Sequence, residues 1–268
     1  MGNGSPAVRY AVRALALAYV ALLLVVPLGL VFWRTFEDGL GPFLAAISTP
    51  EAVHALVVTL QVALSALVLN TVFGVGVALL LTRHDFPGRR VLDAVIDLPV
   101  AVSPVVVGLA LILVYGRFAP VGGWFDEHGV QVIFSLPGMV LATAFISLPL
   151  VVRAVAPVLE EAGDEQEQAA RTLGAGPLQT FRRITIPVIS GALAYGTVLC
   201  FARAIGEYGA VAVVSGRLVG QTQTLPLYVE ERFQNFDQPA AFAVATLLAV
   251  IAAATLVSTR LLRSRGRA

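Results

Sequence analysis

The sequence predicts an all-α, polytopic membrane protein with six transmembrane helices, and three observations carry that prediction. Of its 268 residues, 57% are hydrophobic and only 13% are charged, whereas a soluble domain carries about a quarter charged residues. The apolar residues gather in six runs long enough to cross the roughly 30 Å of a bilayer core at about 1.5 Å per residue. The charges gather between those runs, as expected where an ionised side chain in hydrocarbon costs several kcal/mol.

The runs follow one another as below. From Ala14 to Trp33, between Arg13 and Arg34, twenty residues carry no charge. A signal peptide has an apolar region of about 7–15 residues and a small-residue cleavage site. This run is longer and ends in Phe32-Trp33-Arg34, an interfacial anchor pattern, so a retained first span is expected. Residues 35–54 form an exposed link with Glu37, Asp38 and Glu51. The second span, about 55–82, holds only uncharged polar groups (Thr59, Gln61, Ser65, Asn70, Thr71), and Gly74, Gly76 and Ala78 allow close helix packing. After the basic link 83–90, the third span covers about 91–115. It contains Asp93, Asp97, Pro99, Ser103, Pro104 and Gly108, so a bend or break is expected near DLPVAVSP.

A link at 116–135 carries Asp126, Glu127 and His128, the last read as solvated surface. The fourth span covers about 136–159, with Pro137, Pro149 and Pro157. The fifth covers about 188–215 and holds Arg203 and Glu207; the sixth covers about 240–262. Three segments are therefore expected: 1–54 with the first span, a transmembrane domain at 55–262, and a basic tail at 263–268.

Arginine placement sets the orientation. With the N-terminus inside, the cytoplasmic segments hold twelve of the eighteen arginines, the outer links hold Arg34, Arg117, Arg217 and Arg232, and Arg153 and Arg203 lie in or beside spans. The positive-inside rule then puts both termini in the cytoplasm. All basic residues are Arg, so the G-x-x-x-x-G-K-[ST] phosphate loop is missing and the chain is not itself a P-loop ATPase. The net charge of +1 says nothing about nucleic acid, because the charges are scattered over the links, and no nucleic acid is expected as a partner. One cysteine, Cys200, offers neither a disulfide nor a metal cluster. No hydrolase triad is recognisable, so a non-catalytic role is expected, with membrane lipid as surroundings.

The longest polar interruption is EEAGDEQEQAARTLGAGPLQTFRRITIP, residues 160–187. Residues 169–173 suit a helix, Gly174 and Gly176-Pro177 punctuate it, and a second segment alternating apolar and polar residues stops at Pro187. On the orientation above, this shaped polar element lies in the cytoplasm, where a soluble partner could push on it. An amphipathic interfacial helix without a partner is the plainer alternative.

The spacing resembles the EAA loop of ABC-type importer permeases, E-A-A-x-x-x-G, nine residues, I-x-L-P. Gln168-Ala169-Ala170 stands at E-A-A, Gly174 at the glycine, and Ile184-Thr185-Ile186-Pro187 closes the pattern. Gln168 replaces the Glu, although Glu167 precedes it, and Ile186 replaces the Leu. In that family the loop docks on a partner ATPase, so the resemblance implies coupling roles for Glu167, Gln168, Ala169, Ala170, Leu173, Gly174, Ile184, Ile186 and Pro187. The Gln puts in question any salt bridge assigned to the motif's Glu.

The runs EHGVQVIFSLPG (127–138), ARAIGEYGAVAVVSG (202–216) and GQTQTLPLYVE (220–230) are similar to the W-type permease subunits of bacterial sulfate/thiosulfate importers. That resemblance covers the chain from about residue 50 and implies a type I importer permease fold in the bacterial inner membrane. It implies a T-type permease partner, two copies of a cytoplasmic ATPase subunit and an extracytoplasmic sulfate-binding protein. It implies no cofactor on this chain, because ATP-Mg is used by the ATPase.

Arg203 and Glu207, four apart, are expected to share a helix face. They form either a structural pair or, with Tyr208, the lining or gate of an anion path. Ser103, Asn70 and Gln61 are further candidates for uncharged lining. Asp93 and Asp97 are read as acidic residues favoured by a helix N-terminus. A permease for molybdate or tungstate, and a secondary transporter without an ATPase, are the alternatives. The second would require inverted repeats and midplane carboxylates, of which the sequence offers only Glu207.

Overall fold

The computed structural model describes residues 6–265. The arginine side chains of the basic tail read at 263–268 lie outside the described residues. Every regular element described is helical.

Helix α1 (Pro6–Val20), a π turn (Ala21–Val25) and α2 (Val26–Phe36) form one continuous apolar rod, spanning more than the expected 14–33. The π turn has a local cause. Pro27 has no N–H to give to the preceding turn, and the helix widens so that the Val26 N–H reaches Ala21 O instead. The link that follows contains α3 (Leu40–Ile47). The second span, α4 (Pro50–Arg83), begins earlier than expected because Thr49 caps it, its Oγ1 accepting from the Ala52 N–H, with Pro50 at the first helical position.

The third span breaks where the sequence indicates. Helix α5 (Arg89–Ala101) and α6 (Pro104–Tyr115) are bent by 116° at Val102-Ser103. Then follow α7 (Pro120–Glu127) and the long α8 (Leu136–Ala162), which absorbs Pro149 and Pro157. Helix α9 (Glu165–Thr172) and α10 (Pro177–Thr180) occupy the central polar stretch.

Two boundaries differ from the sequence reading. The segment expected to stop at Pro187 instead runs on: α10, a π turn (Phe181–Thr185) and α11 (Ile186–Ile205) make one rod over Pro177–Ile205. Pro187 plays the same part as Pro27, and the Ile186 N–H bonds Phe181 O across the widened turn. Conversely, the fifth span does not continue helically to residue 215. It ends at Ile205, and after Gly206, Glu207 and Tyr208 a short α12 (Gly209–Val214) starts. Helices α13 (Leu225–Gln234) and α14 (Gln238–Arg265) complete the chain.

Helices α4 and α8 form the spine. They run parallel: Asn70 meets Ser147, Gly74 meets Val151 and Arg83 meets Leu159. A Cβ on Gly74 would lie 2.9 Å from Val151 Cγ1, so the small residue is what lets the helices approach. Gly76, expected to help, faces away with nothing near it. Two apolar clusters stack along this spine. One joins Val58 and Val62 to Met139 and Val140, with Val107 of α6 and Val211 of α12; the other joins Val75 and Leu81 to Val152 and Leu159, with Ile96 of α5 and Ile189 of α11.

Parallel α4 and α8 require the chain to travel back between them. Since α5 packs at the later cluster and α6 at the earlier one, the bent pair makes that return as a broken crossing. With it, the described residues hold six candidate crossings. Leu15 and Leu17 of α1 and Leu22 of the π turn are exposed, as suits a surface turned to lipid or another subunit.

Candidate coupling element and the polar breaks in the spans

Helix α9 is attached to the bundle almost wholly by polar contacts. Of its eight residues only Glu167 is buried. One oxygen, Oε1, accepts a hydrogen bond from Thr185 Oγ1 at 2.9 Å; the other lies 3.3 Å from Arg83 Nε. That second contact is ionic rather than a well-aligned hydrogen bond. The same Arg83 donates from its two terminal nitrogens to Leu159 O at 2.9 Å and Gly163 O at 2.6 Å. It thereby satisfies carbonyls that the last turn of α8 leaves free.

The opposite side of the element faces outward. Gln168, Ala169, Gly174, Ile186 and Pro187 are exposed, while Ala170 and Ile184 are half-buried. Leu173 is 89% and Leu178 78% exposed. Among the described residues, neither of these two aliphatic side chains joins an apolar cluster of the core. Gly174 turns the chain at φ +87, a conformation glycine adopts without strain.

Arg203 and Glu207 are brought together, though not on a helix face. Because α11 ends at Ile205, Glu207 sits beyond its end and bridges two elements. Its Oε2 accepts from Arg203, and its Oε1 accepts the Ala210 N–H at 3.0 Å at the start of α12. The carboxylate is buried, whereas the Arg203 side chain is 39% exposed. Next to this break lies the other one: a Cβ on Gly209 would be 2.8 Å from Pro104 Cβ, so the residues after Tyr208 press against the start of α6. Tyr208 and Ser103, one on each side of that contact, are both exposed, as is Gln61.

Asn70 is not with them. It is buried between α4, α8 and α11, donating to Ala144 O at 3.0 Å and Ser147 Oγ at 2.8 Å, with Cys200 Sγ at 3.4 Å. Asn70, read from the sequence as a lining candidate, thus fastens three helices of this chain. Asp93 and Asp97 likewise do more than favour a helix terminus. Arg153 of α8 reaches Asp93 Oδ1 at 2.8 Å and Asp97 Oδ2 at 2.7 Å, closing a charge cluster on the partly exposed face of α5 and α8. Sequence reasoning also missed Arg83 and Thr185. The signal for Arg83 was an arginine ending an apolar run, but no sequence spacing connects it to Glu167.

The model of the family described as "Binding-protein-dependent transport system inner membrane component" matches residues 70–267. The chain belongs to that family. Among curated relatives, this permease chain is 48% identical over 258 residues to the sulfate transport system permease protein CysW of Synechocystis, covering 96% of this chain and 94% of that one. It is 39% identical over 250 residues to the sulfate transport system permease protein CysT of Escherichia coli K12, covering 93% and 90%. Among solved structures, it resembles a chain of a bacterial ABC transporter involved in import of the acidic polysaccharide alginate, with TM-score 0.79, 16% identity and coverage of 96% and 95%. That likeness shows the fold, the type I importer permease architecture.

Proposed function

We propose that this chain is the W-type permease subunit of an ATP-driven sulfate/thiosulfate importer in the bacterial inner membrane, with both termini cytoplasmic. The observation that carries the reading is the 160–187 element, a helix fastened to the spans by buried polar groups while Leu173 and Leu178 stand free. Free aliphatic side chains on a polar, shaped loop suit a groove on a cytoplasmic ATPase, two copies of which would bind ATP-Mg. The substrate follows from the named relatives, and the greater similarity to a CysW than to a CysT protein supports the W-type assignment.

The path is proposed at an interface with a T-type permease, since one set of spans with a single Arg–Glu break makes half a conduit. Arg203 supplies positive potential to a dianion in a region of low dielectric. Glu207 holds it and limits the depth of the trap; exposed Ser103 and Tyr208 lie at the two adjoining breaks, with the Tyr208 hydroxyl hydrogen-bonded to Glu230. An extracytoplasmic sulfate-binding protein delivers substrate to the outer links. ATP binding closes the ATPase dimer, and α9 carries that movement to the helices.

The test is co-purification from native membranes, then ATPase activity in liposomes with sulfate or molybdate, each with its own binding protein. An associated ATPase stimulated by loaded sulfate-binding protein is expected. Stimulation by molybdate alone would change the substrate. Uptake driven by an ion gradient without any ATPase would overturn the reading.

A further inference from the structure

We propose that Arg83 and Thr185 are the positioning residues through which α9 moves the membrane helices, so that their loss uncouples ATP hydrolysis from transport. The proposal rests on the coupling role given to α9 above and deepens it. A helix can drive a bundle only through what attaches it. None of the residues of α9 joins an apolar cluster of the core, and its single buried side chain is Glu167.

That carboxylate meets two groups from distant parts of the chain. Thr185 belongs to the π turn that leads into α11, and Arg83 is the last residue of α4. Arg83 in turn holds the end of α8 through Leu159 O and Gly163 O. One guanidinium therefore ties α9 to both helices of the spine, and one hydroxyl ties it to the next span. Arg171, 4.0 Å from Glu167 on α9 itself, adds charge balance but no link to a span. The carboxylate is thus committed inside the chain, and the residue at the motif's Glu position, Gln168, is exposed. Push and anchorage are divided between neighbouring residues.

The links are few and polar, one a directional hydrogen bond from Thr185 and one an ionic contact from Arg83. A rigid-body displacement of α9 is passed on while they hold and slips when they are cut. Thr185→Val removes one hydrogen bond at nearly constant shape; Arg83→Gln removes the charge and most of the reach.

The experiment uses the whole importer in liposomes, this chain with its partner permease, ATPase and binding protein, and measures radiolabelled sulfate moved per ATP hydrolysed. A purely structural role would lower assembly and leave this ratio unchanged in the complexes that form. Arg83→Gln is expected to keep the ATPase bound and hydrolysing while the ratio falls roughly 2- to 30-fold, with Thr185→Val moving it the same way by less. Wild-type ratios in both variants would overturn the proposal, as would failed assembly of Arg83→Gln together with a wild-type ratio in Thr185→Val. A reduced ratio in Thr185→Val supports it even if Arg83→Gln does not assemble. If the wild-type chain itself retains no ATPase, the importer reading has failed, and this inference falls with it.

Discussion

Replacing Arg203 separates what that residue does for the fold from what it does for an anion. In the native chain Glu207 is buried, taking Arg203 on one oxygen and the Ala210 N–H on the other. Arg203→Ala leaves that carboxylate with the backbone donor alone. Breaking a buried pair costs about 3–5 kcal/mol, but Arg203 is 39% exposed and partly screened by water, which brings the expected cost to about 2–3 kcal/mol. Adding Glu207→Gln removes the orphan charge while the amide oxygen still caps α12, so the double variant should recover to within about 1 kcal/mol of wild type. At about 2–4 °C per kcal/mol for a chain of this size, thermal unfolding of the solubilised complex should fall by roughly 4–12 °C in the single variant and by under about 4 °C in the double one. Sulfate uptake should be lost in both, because neither holds the cation. An unchanged melting temperature in Arg203→Ala would refute the burial argument. Wild-type uptake by the refolded double variant would reduce Arg203 to a structural partner.

Three further outcomes are expected. Gly74→Leu drives a side chain into Val151 and should cost about 1–3 kcal/mol by overpacking, read as a lower melting temperature, whereas Gly76→Leu, with open space around it, should cost nothing measurable. Leu173→Ser changes a side chain that is 89% exposed, so unfolding should shift by less than about 0.5 kcal/mol, while ATPase retained on purification should drop about tenfold, the loss of a small hot spot. Arg153→Gln leaves Asp93 and Asp97 without their cation on a half-exposed face; an expected loss of about 1–2 kcal/mol should be largely reversed by Asp97→Asn in the same chain, as measured by thermal unfolding.

The parts legible in the sequence are those set by local chemistry. Apolar length found the spans, and Asp97–Pro104 found the break in the third, because proline and the residue before it act within one turn. The Gly174 turn was legible for the same reason. Pro187 misled: it reads as a stop, yet the π turn at Phe181–Thr185 lets the helix pass it, as the π turn at Ala21–Val25 does for Pro27. Glu207 misled differently. Four-residue spacing implies a shared helix face only if the helix continues, and here it ends at Ile205, with Gly209 beyond the end pressed against Pro104. Burial of Asn70 and the Arg83–Glu167 link depend on which helices become neighbours, and no local pattern encodes that.

The placement of rigid and breakable parts bears on how such a chain would work. The α4–α8 spine is unbroken from Thr49 and Ser135 to Arg83 and Ala162 and is filled by apolar side chains along its length. The two breaks, at Val102-Ser103 and at 206–208, adjoin one another, and beyond them α6 and α12 pack as a pair through Gly108, where a Cβ would lie 2.7 Å from Val213 Cβ. That pair docks on the early part of the spine, while α9 is tied to its end. Close-packed helices transmit displacement with little loss, and backbone breaks are where a span can change direction at low cost. On the proposed reading, a push at Arg83 therefore travels the spine as a rigid-body movement and is released as bending where Ser103, Arg203 and Tyr208 lie. The coupling residues and the path residues then occupy opposite ends of one lever, which is why cutting Arg83 should spare ATP hydrolysis, and cutting Arg203 should spare the response of that hydrolysis to the binding protein.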